Sequence, residues 1–399
     1  MAPESARHSL SSSIASLYIH VPFCAVKCGY CDFYSIPLYP IESIELNDDR
    51  LAAYVDKVLE DCEYAINQYD VKQIPSVYIG GGTPSILGSS LIKRLLNGLK
   101  FSSEEITLEA NPESCDEDFL TAAKESGVTR ISLGIQTFNE ASRRLVQRKG
   151  EAKLLPQKLK ALSEIFGSNF SVDLISGLPS QDEDVLMADI DRVLSFEPGH
   201  ISLYALTVDP ETPLGIAVAK AEIQLPDKDE ADRFWIKGRD ALEAAGYAQY
   251  EVSNFSIPGN ESRHNLRYWR MENWLGIGPA ASGTIINDDT GTGQRFTVAR
   301  DIDNWLRRSP GEQPPGIVEA LDSITLIKET FLMGFRLADG PDTDLFQLRF
   351  KHSIEEIIPK TINAWRKRGF FQEHKTALTK QGLLLLDAFL VEAFEEVHP

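Results

Sequence analysis

Three cysteines stand within eight residues, Cys24-Ala-Val-Lys-Cys28-Gly-Tyr-Cys31, directly after an apolar run that opens at Leu17. Four thiolates saturate an ordinary [4Fe–4S] cluster, whereas three leave one iron open to an outside ligand. A catalytic zinc site keeps one position open by the same logic. The alternatives are a zinc site, for which His20 could supply a further ligand, or three buried thiols. Cys62 falls on the apolar face of a helix and reads as core, while Cys115 opens a helix and reads as structural. Five cysteines, an odd count with three of them clustered, fit a metal site better than a disulfide framework.

Other residues could serve a ligand held beside such a cluster. Gly80-Gly-Gly-Thr83 ends a strand, and glycines let backbone groups approach a ligand without Cβ in the way, although a tight turn would also use them. Glu109, Gln136 and Asp173 are polar residues in or at the ends of three further strands, where burial demands partners. A sulfonium, an amino group or a ribose would satisfy them, and so would hydrogen bonds within a core. Tyr18 and Tyr30 flank the cysteine loop and could shield a cluster or line an adenine, with plain packing as the alternative. His264 offers an imidazole, a common axial ligand to heme iron, with Tyr268 and Trp269 as flat faces and Arg263 or Arg267 for a propionate. A lone loop histidine is more often a surface residue.

These residues need elements to position them. Strands are expected at Leu17–His20, Val77–Gly80, Ile106–Ala110, Arg130–Gly134, Val172–Ser176 and His200–Leu206, with amphipathic helices between. One helix carries Leu51, Val55, Val58, Leu59, Cys62 and Ile66 at helical spacing. Ser114 and Glu117 read as a capping box for the helix that Gly127 stops, and a further helix ends before Pro198. Repeated strand–helix units imply parallel strands with crossover helices, as a doubly wound sheet or an incomplete barrel. In both, chemistry belongs at the C-terminal strand ends. Beyond Thr212 a charged helix near Asp229–Ala245 precedes a strand-like Tyr247–Val252. From about Arg300 the chain reads as largely helical, with a hinge near Ser309–Pro315 and helices at Leu326–Leu337, Ile354–Trp365 and Leu378–Val391.

At 399 residues the chain suits a large domain, residues 17–299, and a smaller helical one, residues 300–399. Residues 1–16 are Ser-rich, lack a secretory core, and read as a disordered tail on a cytoplasmic protein. No apolar run reaches the roughly 18–20 residues of a membrane helix. A net charge of −19 argues against nucleic acid, so Trp365-Arg-Lys-Arg368 reads as a helix end before Gly369.

Several runs resemble the radical SAM coproporphyrinogen dehydrogenase family. They are Tyr18-Ile-His-Val-Pro-Phe-Cys24, Gly80-Gly-Gly-Thr-Pro-Ser85, Arg130-Ile-Ser-Leu-Gly-Ile-Gln136, Asp173-Leu-Ile-Ser-Gly-Leu-Pro179 and residues 204–210. The resemblance implies an α/β fold, an incomplete (βα)6 barrel with a mostly helical, winged-helix-like C-terminal domain. It also implies S-adenosylmethionine on a [4Fe–4S] cluster held by Cys24, Cys28 and Cys31. Gly81, Gly82 and Thr83 would meet its methionyl part and Arg148 its carboxylate; from spacing alone Arg148 is merely part of a charged helix. Phe33 stands where the porphyrinogen-converting enzymes carry a fourth cysteine, and His264-Asn-Leu-Arg-Tyr-Trp269 is similar to the heme-binding motif of the heme chaperone branch. That branch implies heme transfer to acceptor hemoproteins, a reductant for the cluster and a possible homodimer. The alternatives are oxidative decarboxylation of coproporphyrinogen III and a radical reaction on another substrate. Gly150 replaces a histidine common in the family, which leaves that imidazole's role unfilled.

Overall fold

The computed structural model describes residues 12–38 and 44–398. Six parallel strands form its centre: β1 (Ser16–Val21), β2 (Ser76–Gly81), β3 (Glu105–Ala110), β4 (Arg130–Gln136), β5 (Phe170–Ser176) and β6 (His200–Ala205). They are joined in order through α1 (Ile44–Gln68), α2 (Gly88–Gly98), α3 (Glu117–Glu125), α4 (Glu140–Leu145) with α5 (Leu155–Phe166), and α6 (Glu183–Leu194). The sheet does not close. It continues past β6 through β7 (Ala248–Gln249) and β8 (Asn254–Ser256), in the order β6-β8-β7. Past β1 it runs through β9 (Trp274–Ile277), β10 (Ser282–Asn287), β11 (Thr292–Val298) and β12 (Gly316–Leu321). The fold is therefore α/β with an incomplete barrel, followed by a helical C-terminal region.

Alternation along each barrel strand divides the chemistry between two faces. Leu17, Ile19, Val77, Ile79, Leu108, Ile131 and Leu133 pack outward under Val55, Ile92, Leu95, Phe119 and Leu159 of the covering helices. The opposite face is polar and bonds across strands: Ser76 to Ser16 at 2.9 Å, Tyr78 to Glu109 at 2.7 Å, and Ser132 to Asp173 at 3.3 Å. In the C-terminal region Phe331, Phe335, Phe346, Trp365, Phe371 and Phe389 form a second core.

Four expectations are corrected. Residues 12–16 are docked rather than loose, with Asn273 donating to the Ser12 hydroxyl at 2.8 Å and Ser16 already in β1; residues 1–11 lie outside the described residues. Asp116, not Ser114, caps α3 by accepting from the Phe119 N–H at 2.8 Å, while Ser114 turns to Ser85. Strand β12 extends the sheet beyond residue 300, pairing with β11. In the strand-like Tyr247–Val252 only Ala248–Gln249 is a strand.

The floor of the barrel is a seven-residue helix, α9 (Arg263–Trp269), which follows α7 (Pro213–Ala219) and α8 (Lys228–Ala244). Glu105 accepts from the N–H groups of Arg263 and His264, both at 2.9 Å, and so replaces the partners that a helix start lacks. His264 is fully buried there; its Nδ1 lies 3.0 Å from Ser76 Oγ and its ring meets Tyr78 at 5.3 Å and Tyr268 at 4.7 Å. Nε2 has no partner among the described residues. Among the described residues no helix is long and apolar enough to cross a membrane.

Burial drives the His264 imidazole down from its ordinary 6.5 to about 3, with Arg267 adding to the effect, so the folded protein holds it neutral. The unfolded chain takes up this proton near 6.5 and the folded chain only near 3, so stability falls as pH drops through that window. Urea unfolding should show wild type losing about 2–3 kcal/mol more than His264→Gln between pH 6.5 and 4.5. Parallel losses in the two proteins would refute this assignment.

Candidate functional site

The cysteine loop leaves β1 at Pro22 and is closed by its own ends. Phe23–Cys24 pairs in parallel with Ile36–Pro37, and the Leu38 N–H donates to the Cys24 carbonyl at 2.8 Å. Midway, Gly29 donates to the Val146 carbonyl at 2.9 Å and accepts from the Leu214 N–H at 2.8 Å. A Cβ on Gly29 would stand 3.3 Å from that same Val146 oxygen. The loop is thus anchored to the segment after α4 and to α7.

Cys24, Cys28 and Cys31 are all free thiols. Thr83 Oγ1 donates to Cys24 Sγ at 3.4 Å, and Arg148 Nη1 to Cys28 Sγ at 3.5 Å. Burial pushes the Cys24 thiol up and Cys31 up to about 11. Metal binding at such thiols releases protons, and the two donors are placed to stabilise the thiolates that result. His20 does not join them: its Nδ1 faces the Tyr18 hydroxyl at 3.0 Å and its Nε2 the Tyr34 carbonyl at 2.9 Å. Among the described residues no three His, Cys, Asp or Glu side chains converge as ligands to one ion. Three cysteines without a fourth ligand fit a cluster with an open iron better than a closed structural zinc site.

A cavity of about 370 Å³ opens beside the loop at the C-terminal strand ends. Tyr30, Gly81, Gly82 and Thr83 line it with the cysteines, as do Glu109, Gln136, Arg148 and Asp173. Gly82 donates to the Val21 carbonyl at 2.8 Å and Thr83 to the Phe23 carbonyl at 2.7 Å, which ties the β2 turn to the cysteine loop. A Cβ on Gly82 would lie 2.6 Å from the Phe23 oxygen, and Gly81, at φ +107°, has the His20 ring 2.5 Å from where its Cβ would stand. Glycine is required at both positions.

The charges are sorted by depth. Glu109 accepts from the Tyr78 hydroxyl at 2.7 Å and the Gly81 N–H at 3.0 Å, and burial pushes it up to about 7. Burial also raises Asp173, against the hydrogen bonds of Ser202 and Ser132. Arg148 stands nearer the sulfurs, donating to Asn111 Oδ1 at 2.8 Å and to the Gly134 carbonyl. Gln136 sits at a register shift between β4 and β5 with φ 71°, and its side chain lines the cavity. Such a site offers acceptors to a ligand's amino group and a guanidinium to its carboxylate.

Two expected site residues lie elsewhere. Tyr18 packs between His20 and Tyr78 within the barrel rather than along the cavity. His264 lies at the opposite end of β2, beside Ser76, about 17 Å from Gly81 along an extended strand. Gly150 adopts φ +80° near Glu113 and Arg143 and does not line the cavity. Asn111 was not anticipated, yet it bridges Thr83 (2.9 Å) and Arg148 (2.8 Å). Its position two residues past Glu109 was the available signal. Tyr204, at the end of β6, and Thr207, just beyond it, also line the cavity.

Residues 18–193 match the Radical SAM superfamily and residues 321–385 the HemN C-terminal domain. The heme chaperone HemW of Mycobacterium tuberculosis (strain CDC 1551 / Oshkosh) is 35% identical over 380 residues, covering 93% of each chain. The heme chaperone HemW of Lactococcus lactis subsp. lactis (strain IL1403) is 30% identical over 352 residues, covering 87% of this chain and 88% of that one. Among solved structures, coproporphyrinogen III oxidase (HemN) from Escherichia coli, a radical SAM enzyme, superposes with a TM-score of 0.78. It covers 96% of this chain and 90% of its own at 21% identity, a likeness of fold alone. Likeness that runs from the cysteine loop into the last helices makes this chain a member of the HemW heme chaperone family of the radical SAM superfamily.

Proposed function

We propose that this protein is a heme chaperone: it binds heme through Nε2 of His264 and delivers it to acceptor hemoproteins. Cys24, Cys28 and Cys31 hold a [4Fe–4S] cluster, and S-adenosylmethionine occupies the adjoining cavity. When reduced, such a cluster supplies the electron that splits a bound sulfonium. Thr83 and Arg148 stabilise the thiolates, Glu109 accepts from the methionyl amino group, and Arg148 meets the carboxylate.

The observation that carries the heme assignment is the state of the His264 ring. Nδ1 is tied to Ser76, Nε2 has no partner among the described residues, and the imidazole is held neutral. An axial ligand needs a free, unprotonated nitrogen with its ring fixed by an outer hydrogen bond. Because the ring is fully buried, loading requires α9 to leave the barrel floor. The hold on α9 includes Arg336, which stacks on Trp269 at 4.7 Å from the ring centre, so the C-terminal region takes part in that release. Phe33, 62% exposed beside the cysteines, supplies no fourth thiol and disfavours porphyrinogen conversion. A cytoplasmic location, a reductant for the cluster and a homodimer belong to the same reading.

Hemin titration of anaerobically reconstituted protein should give a Soret shift in wild type that weakens about tenfold or more in His264→Ala. The same protein should form no protoporphyrinogen from coproporphyrinogen III. Turnover would replace the chaperone reading with the enzymatic one, and undiminished binding by the variant would remove His264 as ligand. The two barrel ends should also separate: Gly82→Ala, whose new Cβ meets the Phe23 carbonyl, should lose S-adenosylmethionine binding in equilibrium dialysis yet keep heme uptake.

A further inference from the structure

Strand β2 presents one side chain that touches both the floor and the cavity wall. The Tyr78 ring stacks on Tyr18 at 6.3 Å and packs against His264 at 5.3 Å, while its hydroxyl reaches Glu109 Oε1 at 2.7 Å. The other carboxylate oxygen, Oε2, is taken by the Gly81 N–H at 3.0 Å. Both donors belong to the strand that runs into the Gly81-Gly-Thr83 turn. A Cβ on Gly80 would lie 2.8 Å from the Tyr78 ring and 3.0 Å from the Glu109 carboxyl, so glycine there lets the pair close.

We propose that Tyr78 is a positioning residue for S-adenosylmethionine: its hydroxyl keeps Glu109 an oriented carboxylate that accepts from the ligand's amino group. The inference rests on the cofactor assignment above.

The groups around Glu109 explain why a neutral donor matters here. Tyr18 comes from β1, Tyr78 and the Gly81 N–H from β2, Asp173 from β5 and Tyr204 from β6. None of these is a cation. Burial pushes the carboxyl up to about 7 and Asp173 adds to that, while the two donors pull it down. Removing the hydroxyl takes away a bond made to the charged form, so more of Glu109 is protonated at neutral pH. A protonated carboxyl is a poorer acceptor toward an amino group.

Tyr78→Phe keeps the ring and its packing and deletes only the donor. Equilibrium dialysis of S-adenosylmethionine against anaerobically reconstituted wild type, Tyr78→Phe and Glu109→Gln, from pH 6.5 to 8.5, tests the proposal. Tyr78→Phe should bind about fivefold more weakly at pH 7 and less than about twofold more weakly at pH 8.5. Glu109→Gln should be weak at every pH. Weakening of Tyr78→Phe by the same factor throughout, or no weakening, overturns the proposal while leaving the cofactor assignment intact. Wild type that binds no S-adenosylmethionine overturns both.

Discussion

The inner face of the barrel is lined with polar groups that are costly to leave without partners. Serines, tyrosines, carboxylates and histidines occupy alternate positions on β1 to β6, and burying such groups unpaired is costly. The strands meet this demand sideways: Ser171 Oγ lies 2.7 Å from His200 Nδ1, whose Nε2 is 2.8 Å from the Tyr250 hydroxyl, and Ser16, Ser76 and His264 form a second chain. Hydrophobic burial is left to the outer face, where the helices lie. Because strand register decides which side chains meet across the lumen, the polar ladder also specifies the pairing of the sheet.

Electrostatics at the open end follow from the same constraint. Glu109 and Asp173 are carboxylates on neighbouring parts of one enclosed wall, each raised first by burial, with Asp173 raising Glu109 further. A ligand carrying positive charge relieves that strain, and one that also carries a carboxylate finds Arg148 within the same cavity. Asn111 joins the two regions, accepting from Arg148 and donating to Thr83, so the thiolate donors are held by one amide. The Nε of Arg148 has no partner among the described residues.

The parts legible in the sequence were those written locally. Each barrel strand begins and ends within two residues of its apolar run, because glycine or a polar turn bounds it. The cysteine loop and the strand-end polar residues converge on one cavity because parallel strands put all their C-terminal ends on one side. The β9–β12 extension was hidden. Gly276 and Gly283 replace the side chains that would mark its strands, since a Cβ on Gly276 would lie 2.2 Å from the Ser282 oxygen. The place of His264 was also illegible: whether the segment after β6 returns to the floor or the mouth is decided by tertiary contacts such as Glu105 on the α9 start. Ser114 misled because the cap went to Asp116, whose carboxylate stands one residue ahead of the helix.

The barrel's two ends are finished by different materials. At one, the chain supplies its own stopper in α9; at the other, the strand ends open into a cavity walled by the cysteine loop. That cavity exists only when those strand ends are assembled, so a small molecule fitting it would bind the folded chain alone, and resistance to unfolding would rise with its concentration.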